Sequence, residues 1–447
     1  MIINRALAAF ILLFSFTSAP LAALEVVAVE KAEVDAWLAS DSTIPVVSIA
    51  FRIQGGAAAD PSDLQGRTRL LADLLTEGAG DMNGPSLKKR LADISASVSF
   101  SASQDAISGS LYTLSKNVKE AAKLLGLILT TPRLDTSDLE RVRAAHLASL
   151  KTALESPSHQ AYRAFLGAGF QSHPYARSAR GNISTLEKIT KDNLLALMKE
   201  RFGRDRLLVA AAGDISPIDL ENVIDLAFGR LPLNSSGPAM DPQTVVWPRK
   251  PGRLAVRMET PQSTIVFGGS GLRREDKDWR IATLLSEIMG GSFGSRLMEQ
   301  VRVKRGLVYG INLSNTELES AALLLGSTST QNSTVEETLA VIEEEWRKMS
   351  LDGPTQKELD DAKSYFTGSL PLALDSTSAI AQTLLSMRVN NLPKNYLDHR
   401  NAQIDAITLQ DAKRVASKLF DPSNLTFSVA GSAEGLDQWK AISKLDD

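Results

Sequence analysis

The chain repeats itself, and that repetition limits what it can fold into more than any other feature. Ile189-Thr190, Phe202, Leu207 and Ala212-Gly213 recur as Ile407-Thr408, Phe420, Leu425 and Ala430-Gly431, each 218 residues further on with no gap. Leu139 and Ser149-Leu150 recur as Leu359 and Ser369-Leu370 at an offset of 220. A shared helix-then-strand grammar gives scattered coincidences, but a run of matches at one offset favours a duplicated domain. Duplication predicts two α+β halves, each a mixed sheet with its helices packed mainly on one face, which can enclose a cavity where they face each other. The segment 231–251, rich in Pro, Ser and Gly, reads as the linker between a half at 24–230 and a half at 252–447.

With 447 residues there is chain enough for two domains with proper cores. A formal charge of −3 supplies no pull toward nucleic acid or an anionic membrane. The absence of cysteine excludes disulfides, thiolate zinc sites and cysteine nucleophiles. At the N-terminus, Arg5 precedes the apolar run Ala6 to Phe16 and small residues follow through Ala22 and Ala23. This reads as a cleaved secretory signal peptide over 1–23, the run being short for a bilayer anchor, and implies a periplasmic protein with no membrane attachment after cleavage.

Along the first half, alternation predicts strands between Val27 and Ile53, clearest over Pro45–Ile53, then at Ser97–Ser101 and Ala106–Leu111. Helices are expected at Arg67–Leu75, Ser86–Ile94, 116–130 and 136–155, followed by the loop His173-Pro174-Tyr175, a helix at 190–202 and a strand at Arg206–Ala212. In the second half a helical run, Asp278 to Met289, meets the pair Gly290-Gly291, and Ser292 or Ser295 is placed to cap a second helix. That helix turns Leu297, Met298 and Val301 inward until Gly306 stops it, and Leu307 to Leu313 then alternates as a strand. Arg302 thus falls in a last helical turn and Tyr309 near the start of a strand. Gly290-Gly291-Ser292-Phe293-Gly294 fits the G-x-S-x-G form of serine hydrolases, but a helix enters it where that chemistry needs a strand. No Gly-Lys-Ser/Thr follows, so it is not a phosphate loop.

The pattern Gly290-Gly291 with Ser295-Arg296-Leu297, then Arg302 and Tyr309 preceded by Gly306-Leu307, resembles the C-terminal half of M16 (pitrilysin/insulinase) peptidases. The glycine-rich turn near Gly55, Gly66, His173-Pro174-Tyr175 with Gly181, and Gln262-Ser263 extend the resemblance over nearly the whole chain. It implies two duplicated domains of the LuxS/mitochondrial-processing-peptidase-like metallohydrolase type, forming half of a clamshell. It also implies that Arg302 and Tyr309 bind substrate at a zinc site in another half. Read without the resemblance, they are a solvated helix-end cation and a half-buried strand aromatic.

Catalysis in the family rests on an H-x-x-E-H helix, whose two histidines share one face and ligate zinc while the glutamate activates water. The corresponding residues here are Arg69-Leu70-Leu71-Ala72-Asp73, so Arg69, Ala72 and Asp73 stand at the motif positions. No carboxylate lies between Val142 and Leu154, where the resemblance puts the third ligand. The four histidines, His146, His159, His173 and His399, include no helical ligand pair. No metal site is therefore expected in this chain. Arg69 and Asp73 are one turn apart and can pair, with the guanidinium filling the metal's volume or as ordinary surface charges.

Some bacterial members of the family work as pairs of short chains, one with H-x-x-E-H and the other with Arg and Tyr. The resemblance makes this chain the second kind: a non-catalytic subunit that binds unfolded peptide, with zinc held by an H-x-x-E-H-bearing partner. The alternatives are a peptide-binding or scaffold protein with no part in proteolysis, and an autonomous metallopeptidase with an unorthodox site.

Overall fold

A computed structural model describes residues 24–238, 245, 247 and 252–445; the signal peptide read over 1–23 lies outside them. The duplication is visible as two six-stranded sheets in which five strands share one order. In the first, Val27–Lys31, Val34–Ser40, Leu207–Gly213, Val46–Gln54, Ala106–Leu114 and Ser97–Ala102 lie side by side. In the second, Lys440–Ala441, Arg253–Arg257, Thr426–Gly431, Gln262–Ser270, Ala322–Gln331 and Val308–Glu317 lie side by side; the last five repeat the first sheet's order, whereas the edge strand Lys440–Ala441 follows its five in sequence and Val27–Lys31 precedes its own. Both sheets are mixed: Val34–Ser40 runs parallel to Leu207–Gly213, as Arg253–Arg257 does to Thr426–Gly431, and the longer neighbours are antiparallel.

The alternation along each strand divides the sheet into two faces. Leu38, Ile49, Phe51, Ile53 and Val209 of the first half pack against that half's own helices, among them Arg67–Leu74, Val118–Thr130 and Pro217–Phe228. In the second half Ile265, Phe267, Leu324 and Val429 do the same against Trp279–Ser286, Val335–Asp352 and Leu409–Leu419. Each half's own helices thus lie mainly on one face, and the opposite face is covered from the other half, which the sequence did not foretell. Ala39, Ala50, Ala210 and Ala212 of the first sheet are covered by helix Thr377–Val389 of the second half, through Ala381, Leu384 and Leu385. Val256, Val266, Leu323 and Ala430 of the second sheet are covered by helix Pro157–Phe170 of the first half, through Ala161, Ala164 and Phe165.

The two halves thus exchange one equivalent helix each. Even a polar contact is duplicated: Ser158 Oγ meets Thr264 Oγ1 at 3.4 Å, and Ser378 Oγ meets Ser48 Oγ at 2.9 Å, 220 and 216 residues apart in the repeat. Small residues on the first sheet let the helix approach closely, and burying both faces removes apolar area from water that either half alone would expose. Further bonds tie the halves together. Tyr175 is buried, donates to Asp105 and accepts from the Ser320 amide at 3.1 Å; Arg52 pairs with Glu319. Burial and the Asp105 carboxylate push the Tyr175 phenol well up, so it stays a donor. Trp247, within the segment read as a linker, is itself buried, 4.7 Å from the Phe165 ring.

Candidate functional site

The turn between Trp279–Ser286 and Val308–Glu317 is built to lie close against the sheet edge. The helix ends in a π turn, Glu287–Gly291, and Gly290 sits where a Cβ would meet the Leu313 amide at 2.7 Å, so only glycine lets the turn approach. Neither serine was found to cap as expected: the Ser295 hydroxyl is buried and has no hydrogen-bond partner among the described residues, and no side-chain cap joins Ser292 to the next turn. Arg296 is committed to structure, forking onto Glu358 at 2.6 and 2.8 Å and onto the Gly353 carbonyl. The second helix is a short π turn, Met298–Val303, with Met298 and Val301 buried. Gly306, at φ +64°, closes it, its amide and that of Leu307 bonding back to the carbonyls of Arg302 and Val301.

This cap fixes Arg302 at a helix end and aims the chain into the edge strand. The strand opens with a β-bulge: Val308 pairs with Thr330 but Ile311 with Thr328, so one extra residue lies between them. The bulge breaks the two-residue alternation, leaving Tyr309 and Gly310 both exposed between buried Val308 and Ile311. Two carbonyls beside it are satisfied by threonine hydroxyls, Thr328 donating to Gly310 and Thr330 to Leu307, each at 2.7 Å. The Arg302 guanidinium is stacked between Phe293, 5.1 Å from its ring centre, and Tyr309, at 5.0 Å. Stacking occupies the faces of the guanidinium and leaves its N–H edge free. No carboxylate pairs with Arg302 among the described residues.

Tyr309 is 89% exposed, too open to be a core residue, and lines a groove of about 1000 Å³ on the second sheet. Gln262, Asn312, Ser327, Ser329 and Gln331 give it a polar floor without a single charged side chain, and Ser158, His159 and Tyr162 of the exchanged helix form its wall. Sequence reasoning missed that wall. Its signal was present: Ser156 followed by Pro157 at the first helical position, then Ala161, Ala164 and Phe165 at helical spacing. Arg302 is not in the groove lining and reaches it through the Tyr309 ring.

The zinc-motif positions lie on helix Arg67–Leu74, whose start is anchored by buried Asp60, which accepts from Arg67, Thr68 and Arg201. Arg69 Nε donates to Asp73 at 3.1 Å, the expected i,i+4 pair, and stays partly exposed. Asp73 also meets His146 Nε2 at 2.7 Å, from the helix Thr136–Leu154 where a third metal ligand was sought. A carboxylate–imidazole bond therefore joins the two helices. These residues do not fit a catalytic zinc ion: a guanidinium has no lone pair to offer, Ala72 replaces the general base, and Asp73 and His146 bond each other. Among the described residues no group of three His, Cys, Asp or Glu is placed to hold a metal.

Burial pushes the Asp73 carboxyl up, but the His146 hydrogen bond and the Arg69 charge outweigh it and hold it below its ordinary value. A carboxyl with a lower pKa folded than unfolded contributes stability above its unfolded value, lost as pH falls through the lowered one. His146→Ala is therefore expected to cost roughly 1–2 kcal/mol at neutral pH. Part of that difference from wild type should vanish below about pH 3.9, the ordinary aspartate value. Urea midpoints of both proteins across acid pH measure it, and a difference that ignored pH would show that His146 acts by packing alone.

Comparison with known proteins gives the family. Residues 36–182 match the family described as Insulinase (Peptidase family M16), and residues 188–366 match the Peptidase M16 inactive domain. The chain is 25% identical over 408 residues to the Non-peptidase homolog YmxG of Helicobacter pylori, covering 90% of this chain and 93% of that one. It is 21% identical to the Uncharacterized zinc protease YmxG of Bacillus subtilis, over 86% of this chain and 92% of that one. The crystal structure of a peptidase M16 inactive domain from Pseudomonas fluorescens superposes with a TM-score of 0.85 at 25% identity, covering 91% of this chain and 98% of the other. The relatives include both a non-peptidase homologue and a zinc protease by name, so the residues present must decide between them. This chain belongs to the M16 insulinase family.

Proposed function

We propose that this protein is the non-catalytic, substrate-binding subunit of a periplasmic zinc peptidase, paired with an M16 chain that carries H-x-x-E-H. The observation that carries this reading is the Arg302–Tyr309 stack at the mouth of an uncharged groove, in a chain whose Arg69, Ala72 and Asp73 do not make a catalytic zinc site. The partner supplies zinc, the activated water and its general base. Arg302 and Tyr309 donate hydrogen bonds to the substrate carbonyl and to the oxyanion that develops on it. The substrate is an unfolded peptide. Val308–Glu317 is a sheet edge, with one side unpaired, which suits an extended chain binding by strand addition.

The purified chain alone is expected to hydrolyse no peptide and to carry no stoichiometric zinc. Adding an H-x-x-E-H-bearing M16 chain from the same source should give zinc-dependent cleavage well above that of the added chain by itself. No change on mixing would favour a scaffold with no part in proteolysis. Stoichiometric zinc with activity from this chain alone would restore the autonomous peptidase.

A further inference from the structure

A second cavity adjoins the groove at the exchanged helix. His159 and Tyr162, which wall the groove, also line this second space of about 740 Å³, so the two lie next to each other at helix Pro157–Phe170. The chemistry changes between them. The first space has no charged side chain, whereas the second is lined by Arg163, Arg177 and Arg180 and by no carboxylate. Arg163 donates to the Ala176 carbonyl and Arg177 to the Ala58 carbonyl at 2.8 Å, so each guanidinium is held in place by backbone and retains further donors. None of the three pairs with an acidic residue among the described residues. Burial, and then the charges of Arg163 and Arg180, hold His159 below its ordinary imidazole value, as expected beside uncompensated positive charge.

We infer that the two cavities form one channel for an extended peptide, with a peptide carboxylate seated among Arg163, Arg177 and Arg180 while the main chain crosses the hydroxyl-rich floor toward Tyr309. This inference rests on the peptide-binding reading and adds a substrate class to it: segments bearing an acidic side chain or ending in a free C-terminus. Guanidinium suits both sources of carboxylate, because its planar N–H fork meets two oxygens at once. A polynucleotide is the poorer fit. It needs cations along its whole track, and the floor up to Tyr309 has none.

Calorimetric titration of the full chain with three acetylated peptides of equal length tests this: one neutral and C-amidated, one C-amidated with internal glutamates, one neutral with a free C-terminus. At low salt, one or both carboxylate-bearing peptides should bind about tenfold more tightly than the neutral one, and which of them does so identifies the source of the carboxylate. High salt should shrink the preference. Arg180→Gln should abolish it, and Arg180→Lys should retain part of it; Arg177→Gln is a second route should Arg180→Gln fold poorly. Equal affinities for all three peptides would overturn the arginine assignment and leave peptide binding intact. No binding of any peptide would overturn both.

Discussion

Arg302→Ala, in a complex reconstituted with an H-x-x-E-H-bearing chain, is expected to lower kcat/KM by about 10²–10³-fold, or ~3–4 kcal/mol of transition-state stabilisation. The reasoning is electrostatic. A guanidinium cannot lose its charge, and one held by stacking rather than by a carboxylate keeps its N–H edge for charge that appears only during reaction. Tyr309→Phe keeps the stack and removes one donor, so it should cost less than Arg302→Ala and should act on kcat more than on KM. Phe293→Ala removes one side of the stack but no donor, and a smaller loss is expected from it. Wild-type rates in the Arg302→Ala complex would sink the assignment.

Phe165→Ala is expected to destabilise the protein by about 3–5 kcal/mol, the usual range for truncating a fully buried aromatic ring. Phe165 is 0% exposed and lies in the exchanged helix, packed on Trp247 at 4.7 Å and among Val256, Val266 and Ala430. The site is tight: a Cβ on neighbouring Gly169 would meet the Trp247 ring at 1.7 Å, so the ring has little freedom to move into a cavity. Since each sheet depends on a helix from the other half, the two halves should unfold together. A single guanidinium-induced transition in the wild type, shifted to lower denaturant in Phe165→Ala, is the expected result. Two resolved transitions, with Phe165→Ala moving only one, would show that the exchange does not couple the halves. The same substitution should loosen the helix that lines both cavities, and so weaken peptide binding in parallel.

Much of this architecture is legible in the sequence, because it is written in short-range patterns. The strands at Val46–Gln54 and Leu207–Gly213 and the helices at Arg67–Leu74 and Thr136–Leu154 fall within a residue or two of the positions that alternation and helical spacing predict. The offset matches foretell two sheets of one topology, since a duplicated chain solves the same burial problem twice. The functional groups of Arg69, Ala72 and Asp73 are equally plain. Arg69 and Ala72 carry no atom that can ligate zinc, and no tertiary contact alters that.

Other features depend on which surfaces meet, and sequence spacing carries no such information. Helix Pro157–Phe170 has an ordinary apolar stripe, and nothing local says that the stripe covers the sheet of the other half. His146 gains its partner only because two helices distant in sequence cross at Asp73. Arg163, Arg177 and Arg180 read singly as solvated cations and become a cluster only when a helix and a loop converge. Alone, the amino-acid order fixed the family, the doubling and the missing ligands, because each follows from residue identity and periodicity. Packing decided where the exchanged helices lie, how the bulge presents Tyr309 and which side chains line each cavity, because burial and hydrogen bonding act between groups that the chain itself keeps far apart.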